Sequence, residues 1–397
     1  MPLILRNARV AQDAEHASRL DIGIRNGVIE GLERNIPTSG HSVLDLQGSL
    51  VLPGLINAHD HLEFGLFPRL GKGTYPDAQS WAMDIYHPEE SPIHELLQIP
   101  KPTRLFWGGL KNLFAGVTTV CHHNRYEAEV FEHNFPVRVM ERYGWSHSLD
   151  FSQSLQQDYE QTPPGAPFLI HLAEGSTSKS QHELEHLDRL GLLTPQTVLI
   201  HGVALGPEEW KLVRGRNASW IWCPTSNLFT LGKTVNLSVL RSGVPTALGS
   251  DSSLTAAGDF LDEIQLAGQL GASAGELYAL VTSSAAQVLG LREGEGFIRE
   301  GGVADLLVVR DSGDPPAQRL GSLSRLEIDL VLREGRVLLA SRKVAQQLPA
   351  THSNGLCRVS YDDAEWSLGV DPQRHWCETV SILGEPLRFE RRLLRLA

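Results

Sequence analysis

The sequence predicts an α/β fold in which a central region of βαβ units carries a small β-domain built from both ends of the chain. In the middle, short apolar segments alternate with helical stretches, which is typical of strands in a parallel sheet. Both ends instead have the pattern of antiparallel hairpins. The length of 397 residues suits two or three compact units, or one large α/β barrel with an appended domain.

The hairpins are predicted from two dipeptides. Asn26-Gly27 and Glu334-Gly335 each separate two apolar segments, as the turn of a two-residue hairpin does. Because one hairpin is close to each terminus, we expect the two ends to assemble into one β-domain.

The central strands are predicted from apolar segments that precede polar or small residues. Seven are clear: 52–59, 117–122, 137–143, 168–171, 198–201, 220–223 and 246–250. Helices are predicted at 104–114 and 181–190, because a glycine follows each segment closely. An eighth strand should lie between 143 and 168, where the sequence is short and mostly polar, so the fourth strand is expected to be degenerate.

Composition excludes several classes of protein. The chain has 35 Lys and Arg against 47 Asp and Glu, and its net charge of −12 disfavours nucleic acid as a partner. No apolar run is long enough to span a bilayer, and the first residues do not resemble a signal peptide. The four cysteines form no CxxC pair, which indicates a reduced, cytoplasmic protein.

Polar residues with catalytic chemistry follow the predicted strands. His59 and His61 are two residues apart at the end of the first strand, so their side chains should point the same way and suit a metal ion. His171, His201 and Asp251 each end a later strand. Any one of these five residues alone would be an ordinary polar residue at the end of a strand. In a barrel, however, all five would face the same mouth, which is where the active sites of barrels lie.

Residues outside the strand ends are weaker candidates for substrate contacts. Glu63 and the loop 64–90 are expected to cover the pocket, and the aromatic residues Tyr75, Trp81 and Tyr86 either stack on a planar substrate or pack the loop itself. His122 and His123 end the second strand, where one either contacts the substrate or is structural. In the fourth-strand region, Trp145 and His147 are the candidates for a substrate contact.

Five segments of the sequence together resemble a known family. They are PGLINAHDHLE at 53–63, GVTTV at 116–120, HLAE at 171–174, CPTSN at 223–227 and GSD at 249–251. In this order they resemble signatures of the amidohydrolase superfamily. The last two are similar to those of its cytosine deaminase, chlorohydrolase and S-adenosylhomocysteine deaminase branch. The resemblance covers roughly residues 3–340.

The resemblance implies a (β/α)8-type, TIM-like barrel with a small β-sandwich from both termini. The barrel would comprise residues 54–297 and the sandwich residues 1–53 and 298–345. Residues 346–397 would form a C-terminal extension of unknown role.

The resemblance also implies a metal site. Matched position by position, its ligands are His59, His61, His171 and Asp251. Glu174 and His201 would move protons and stabilise charge, and Asp251 would also orient the attacking water. Because no lysine ends a predicted strand, one divalent ion is expected rather than two, with zinc favoured and iron(II) as the alternative.

The function implied is hydrolytic deamination of an amino-substituted heterocycle, similar to a purine or pterin, by a metal-activated hydroxide. The alternatives are a chlorohydrolase and a hydrolase of linear or cyclic amides at the same site. A non-catalytic binding protein on this fold is disfavoured because all six expected site residues are present. The partner would be a small molecule, without nucleic acid or membrane, and the resemblance allows a homo-oligomer.

Overall fold

The computed structural model describes residues 2–132, 134–384, 387–389 and 392–396. Its N-terminal strands are β1 Leu3–Ala11, β2 Ala17–Arg25, β3 Val28–Glu33, β4 Ser42–Asp45 and β5 Leu50–Pro53. Eight central strands follow: β6 Leu55–Asp60, β7 Val117–His122, β8 Arg138–Val139, β9 Gly144–Ser148, β10 Phe168–Leu172, β11 Thr197–His201, β12 Ser219–Trp222 and β13 Thr246–Leu248. The last seven are β14 Leu306–Val309, β15 Ile328–Arg333, β16 Arg336–Ser341, β17 Cys357–Tyr361, β18 Ala364–Leu368, β19 Leu387–Phe389 and β20 Arg392–Leu396.

The central strands are parallel and have the arrangement of a TIM-like barrel. Strands β6 to β8 form one ladder in chain order, and β9 to β13 form a second. A parallel bridge between Asp60 and Asp251 joins the first strand to the last. The apolar residues of these strands are buried, as parallel strands covered on both faces require. All carboxyl ends therefore meet at one mouth.

Most of the helices connect these strands. They are α1 Ala78–Ile85, α2 Ile93–Gln98, α3 Lys101–Phe114, α4 Ala128–Phe131, α5 Leu155–Glu160, α6 Ser178–Arg189, α7 Pro207–Gly215, α8 Pro224–Leu231, α9 Phe260–Gln269, α10 Ala274–Leu280, α11 Ser283–Leu289, α12 Pro316–Gly321, α13 Arg342–Ala345, α14 Ala350–Ser353 and α15 Gln373–Leu383. Short 3₁₀ helices occupy Leu62–Phe64, Leu237–Arg241 and Arg325–Glu327. Within the described residues, no helix combines the length and apolar character needed to cross a bilayer.

Two helices show why the sequence predictions succeed. The segments predicted at 104–114 and 181–190 lie in α3 and α6, apart from one residue at the end of the second. Gly116 and Gly191 follow them with φ of +80° and +73°, a conformation that glycine adopts without steric cost.

The third and fourth barrel strands differ from the prediction. Segment 137–143 contributes only the two-residue β8 to the ladder, whereas the polar segment after it forms the five-residue β9. The buried residues Val137, Met140 and Tyr143 pack in the core without extending the strand. The apolar residues of segment 137–143 are therefore buried without most of them belonging to a strand. Strand β9 pairs with β10 through its backbone despite its polar sequence.

The strands from the two termini are hydrogen-bonded into one continuous sheet. Its order is β19-β20-β17-β18-β16-β15-β14-β5-β1-β2-β3, with β4 beside β1. The predicted hairpin turns are present, since Asn26 and Gly27 have φ of 51° and 83° and Glu334 and Gly335 have φ of 51° and 68°. Four of the strands, β17 to β20, come from residues 346–397 and extend the sheet beside β16.

The C-terminal strands are also tied to the barrel by a buried ion-pair cluster. The Asp259 side chain is only 1% exposed, and its Oδ2 lies 2.7 Å from Arg325 Nη2 and 3.7 Å from Arg392 Nη1 in β20. Its Oδ1 accepts the Leu261 N–H at the start of α9. The same carboxylate therefore caps a helix and compensates two cations.

Replacing Asp259 by Ala should lower the free energy of unfolding by about 3 kcal/mol or more, because it leaves buried cations undercompensated and removes a helix cap. Urea denaturation followed by circular dichroism measures this change. Asp314→Ala, at an exposed loop position, is the control and should be close to neutral. A loss below about 1 kcal/mol would show that the cluster contributes little to stability.

Candidate active site

The strand ends bring four polar side chains together at the barrel mouth. His59 Nε2 lies 3.2 Å from Asp251 Oδ1 and 3.2 Å from His171 Nε2. His61 Nε2 lies 3.5 Å from the same Asp251 oxygen. The predicted ligands therefore converge on one point, although they come from three different strands.

The local backbone explains how these side chains come so close. A Cβ atom at Gly249 would lie 2.6 Å from the Cβ of His59, so only glycine lets β13 approach β6 this closely. The Asp251 N–H then donates to the His59 carbonyl. His201 and Asp251 have φ of 73° and 56°, a left-handed conformation that costs about 1–3 kcal/mol and is found where function fixes a side chain.

Hydrogen bonds behind the cluster orient its rings. His171 Nδ1 donates to the His147 carbonyl over 2.8 Å, which leaves the Nε2 lone pair directed at the cluster. His201 Nδ1 lies 2.8 Å from the Asn227 side-chain oxygen, an arrangement that assigns the proton to Nδ1. Such partners are typical of histidines that bind a metal or act on a substrate.

The protonation states of these groups suit a cation. Burial lowers the pKa of His59 to about 4 and holds the pKa of His171 well below its ordinary value. Burial opposes ionisation of Asp251, but the hydrogen bond with His59 and the neighbouring imidazoles outweigh it and keep the pKa of this carboxyl low. Neutral imidazoles beside an ionised carboxylate are the donor set that a divalent transition metal prefers. The residues present therefore fit a metal ion.

His201 lies on a different side of Asp251 from His59 and His61. Its Nε2 is 3.8 Å from Asp251 Oδ2 and 3.5 Å from Glu174 Oε2. His201 is nevertheless close enough to be a ligand, because potential donor atoms of four residues lie within 4.8 Å of one another: His59, His171, His201 and Asp251. The structure thus brings all six predicted residues together, but this group of four contains His201 and not His61, whose Nε2 approaches only Asp251 Oδ1 closely.

Glu174 has the setting of an acid–base group. Burial raises the pKa of its carboxyl to about 7, although the neighbouring His201 opposes that rise. A group with a pKa near neutrality both accepts and releases protons readily. Glu174 also lines the cavity that opens above the cluster, so it is within reach of a bound molecule.

That cavity has a volume of about 460 Å³, which suits a small heterocyclic molecule. Its walls are aromatic, with Phe64, Trp81, Tyr86, Trp145 and Phe151 among the residues that line it. The loop after β6 contributes three of these rings, in agreement with its predicted role as a cover.

Of the residues predicted to contact the substrate, His147 lies at the cavity and Tyr75 does not. His147 lines the cavity and holds His171 through its carbonyl, so it belongs to the site. Tyr75 does not line it; its hydroxyl donates to Asp84 and accepts the Lys72 N–H, and the ring packs within the loop.

Several supporting residues were not predicted from the sequence. Ser226 donates to Asp251 Oδ2 over 2.6 Å, and Asn227 holds His201. Asn57 accepts the Ser250 N–H and donates to Asn112 in α3, behind the cluster. The sequence marks three of them, Ser226, Asn227 and Asn57, only by their position inside the motifs at 223–227 and 53–63. Asn112 lies in a helix without any motif.

Comparison with known proteins agrees with this geometry. The sequence model of the Amidohydrolase family matches residues 167–338, which include HLAE, CPTSN and GSD. The resemblance that the motifs indicate, to the branch of deaminases and chlorohydrolases in the amidohydrolase superfamily, is confirmed by these comparisons.

Individual relatives match most of the length of the chain. A 5-methylthioadenosine/S-adenosylhomocysteine deaminase of Pyrococcus furiosus is 27% identical over 378 residues, covering 77% of this chain and 86% of that protein. The zinc-bound adenosine deaminase of Xanthomonas campestris superposes with a TM-score of 0.69 at 18% identity, covering 96% of this chain and 97% of that one. Atrazine chlorohydrolase of Arthrobacter aurescens gives 0.68 at 16% identity, with 96% and 99% covered.

Proposed function

We propose that this protein is a metal-dependent deaminase that hydrolyses the exocyclic amine of an adenosine-like heterocycle. The observation that carries the proposal is the position of Glu174, which lies beside the imidazole–carboxylate cluster and at the wall of the aromatic cavity. In the overall reaction, water adds to the amine-bearing ring carbon and ammonia leaves. An active site for this deamination needs an electrophilic centre, a group that transfers protons and a cavity that accepts a planar ring.

The ligands proposed for a single divalent ion, zinc or iron(II), are His59, His61, His171 and Asp251. Support for His61 over His201 comes from Asp251, because His59 and His61 both face its Oδ1, whereas Ser226 and His201 face Oδ2. When bound, such an ion would lower the pKa of a coordinated water toward about 7.

Glu174 is proposed as the proton shuttle. Its carboxylate takes a proton from the attacking water and delivers it to the amine, which then leaves as ammonia. His201, held by Asn227 through Nδ1, directs Nε2 at the space between Glu174 and Asp251. From there it stabilises the charge that develops on the attacked ring.

The substrate class rests on the relatives and on the cavity. Besides the Pyrococcus protein, a 5'-deoxyadenosine deaminase of Methanobrevibacter smithii is 23% identical over 393 residues. The cavity is large enough for an aminopurine, and Trp81 and Trp145 offer faces on which a planar ring can stack. We therefore place adenosine and its 5'-modified derivatives first among candidate substrates.

The test is release of ammonia from a panel containing adenosine, 5'-deoxyadenosine, 5'-methylthioadenosine, guanine and a pterin. The expected result is deamination of at least one adenosine derivative, with the corresponding hypoxanthine product seen by its absorbance. The same panel includes a chlorotriazine, assayed for chloride, and a cyclic amide, assayed for ring opening.

Chloride release or ring opening without ammonia would overturn the deaminase proposal and assign the site to one of those two hydrolyses. No turnover of any compound by a metal-loaded protein would overturn it as well. The Glu174→Gln protein, assayed in parallel, separates turnover at this site from contaminating activity.

A further inference from the structure

One buried carboxylate in the cavity wall is not used by the proposed chemistry. Glu63 follows His61 and is only 6% exposed. Its Oε1 accepts a hydrogen bond from Asn124 Nδ2 over 2.8 Å, but its Oε2 has no hydrogen-bond partner among the described residues. An unsatisfied buried carboxylate oxygen costs free energy, so a donor supplied by a ligand would be favoured there.

The neighbouring nitrogen-bearing side chains do not satisfy this oxygen. His122 Nδ1 lies 3.7 Å from Glu63 Oε2, but it accepts the Leu62 N–H and therefore has no proton to give. Arg104 donates through Nε to the Ile99 carbonyl, and its guanidinium lies 6.0 Å from the ring centre of Phe67. Glu63 thus keeps a free acceptor oxygen.

A second acceptor belongs to the same cavity wall. His123 is 2% exposed, and its Nε2 donates to the Ser146 carbonyl over 3.1 Å. This bond assigns the lone pair to Nδ1, which has no partner among the described residues. Like Glu63, His123 lines the cavity above the cluster.

The described residues of the cavity wall offer no cationic side chain to an anionic group away from the metal cluster. Among the described residues that line it, none is Lys or Arg. Asp251 and Glu174 belong to the reaction centre, so Glu63 is the carboxylate that remains for the rest of the substrate. A phosphate or carboxylate placed there would meet a like charge, and no Lys or Arg of the described cavity wall would compensate it.

We propose that Glu63 and His123 form an acceptor subsite that selects substrates whose contacting part carries hydrogen-bond donors or a positive charge, and that excludes phosphates and carboxylates. This inference rests on the proposed deaminase and narrows its substrates to neutral or cationic aminated heterocycles. Nucleotides and substrates with a free carboxylate are excluded.

The first arm of the test measures binding alone. Calorimetry on the zinc-loaded protein gives Kd for benzamidine, a planar cation with donors, and for benzenesulfonate, a planar anion without them. Benzamidine should bind at least about tenfold more tightly, the effect expected for one hydrogen bond to a charged group. Equal affinity, preference for the sulfonate, or binding of neither would overturn the proposal.

Variants connect this preference to Glu63. Glu63→Gln keeps the shape and the acceptor for Asn124 but removes the charge, so the ratio of the two Kd values should shrink by about tenfold. Glu89→Gln removes the same charge from an exposed position and should leave the ratio unchanged. An unchanged ratio in Glu63→Gln would overturn the assignment; if that variant does not fold, the ratio in the unmodified protein decides.

The second arm measures kcat/KM for 5'-amino-5'-deoxyadenosine and adenosine 5'-monophosphate. The amine should be preferred by at least about tenfold. Comparable turnover of both would overturn the subsite and leave the deaminase intact. Turnover of neither, with the benzamidine preference retained and lost in Glu63→Gln, would overturn the proposed substrates and leave the subsite intact.

Discussion

Glu174→Gln is expected to lower turnover by at least about 10²-fold while the metal content stays unchanged. The amide is nearly isosteric with the carboxylate but cannot shuttle a proton, and general acid–base catalysis typically contributes about 10²–10⁴-fold. Because Glu174 contacts His201 rather than His59 or His61, its replacement should not disturb the proposed ligands. Single-turnover rates and elemental analysis on the same preparation measure both quantities.

The matched control for this experiment is Glu185→Gln on the exposed face of α6. That side chain is 61% exposed and pairs with Arg189 one helical turn away, so full activity is expected. A loss smaller than about tenfold in Glu174→Gln, with metal intact, would show that another group moves the proton.

His201→Asn is expected to lower kcat by about 10²–10³-fold and to retain the metal, because one well-placed electrostatic group is worth that much in rate. The amide fits the space but cannot supply the charge of the imidazole. Asn227→Ala, which leaves the ring in place and removes its Nδ1 partner, should cost a smaller factor of about 10–100.

Metal content decides how His201 acts. Since its Nε2 is close to the other potential ligands, loss of metal in proportion to activity would move it into the coordination sphere. If kcat and metal content were both unchanged in His201→Asn, the role of His201 would be structural.

Much of the site was predictable because parallel strands place their last residues at one mouth. His201 ends a strand, His59 and His171 each lie one residue before the end of theirs, and Asp251 follows β13 by three residues. Their convergence therefore follows from strand direction. The hairpins at Asn26-Gly27 and Glu334-Gly335 were predictable for an equally local reason, since the turn residues fix the backbone.

What the sequence did not predict depends on contacts between distant segments. Glu63 Oε2 stays unpaired because Asn124 donates to Oε1 and because His122 Nδ1 accepts the Leu62 N–H. The sequence alone cannot show which atoms remain unpaired. Strands β17 to β20 lie in the large sheet because they pair with β16 and with each other, and no motif marks them. Likewise, only the structure shows that His59 and His61 face one oxygen of the Asp251 carboxylate while Ser226 and His201 face the other.

The most direct test of the central claim is the metal content of the purified protein and of two variants, His61→Ala and His201→Ala, by elemental analysis. We expect about one divalent ion per chain in the unmodified protein, a loss of most of it in His61→Ala, and retention in His201→Ala. Two tightly bound ions per chain, an active protein without metal, or full metal in His61→Ala together with loss in His201→Ala would contradict it.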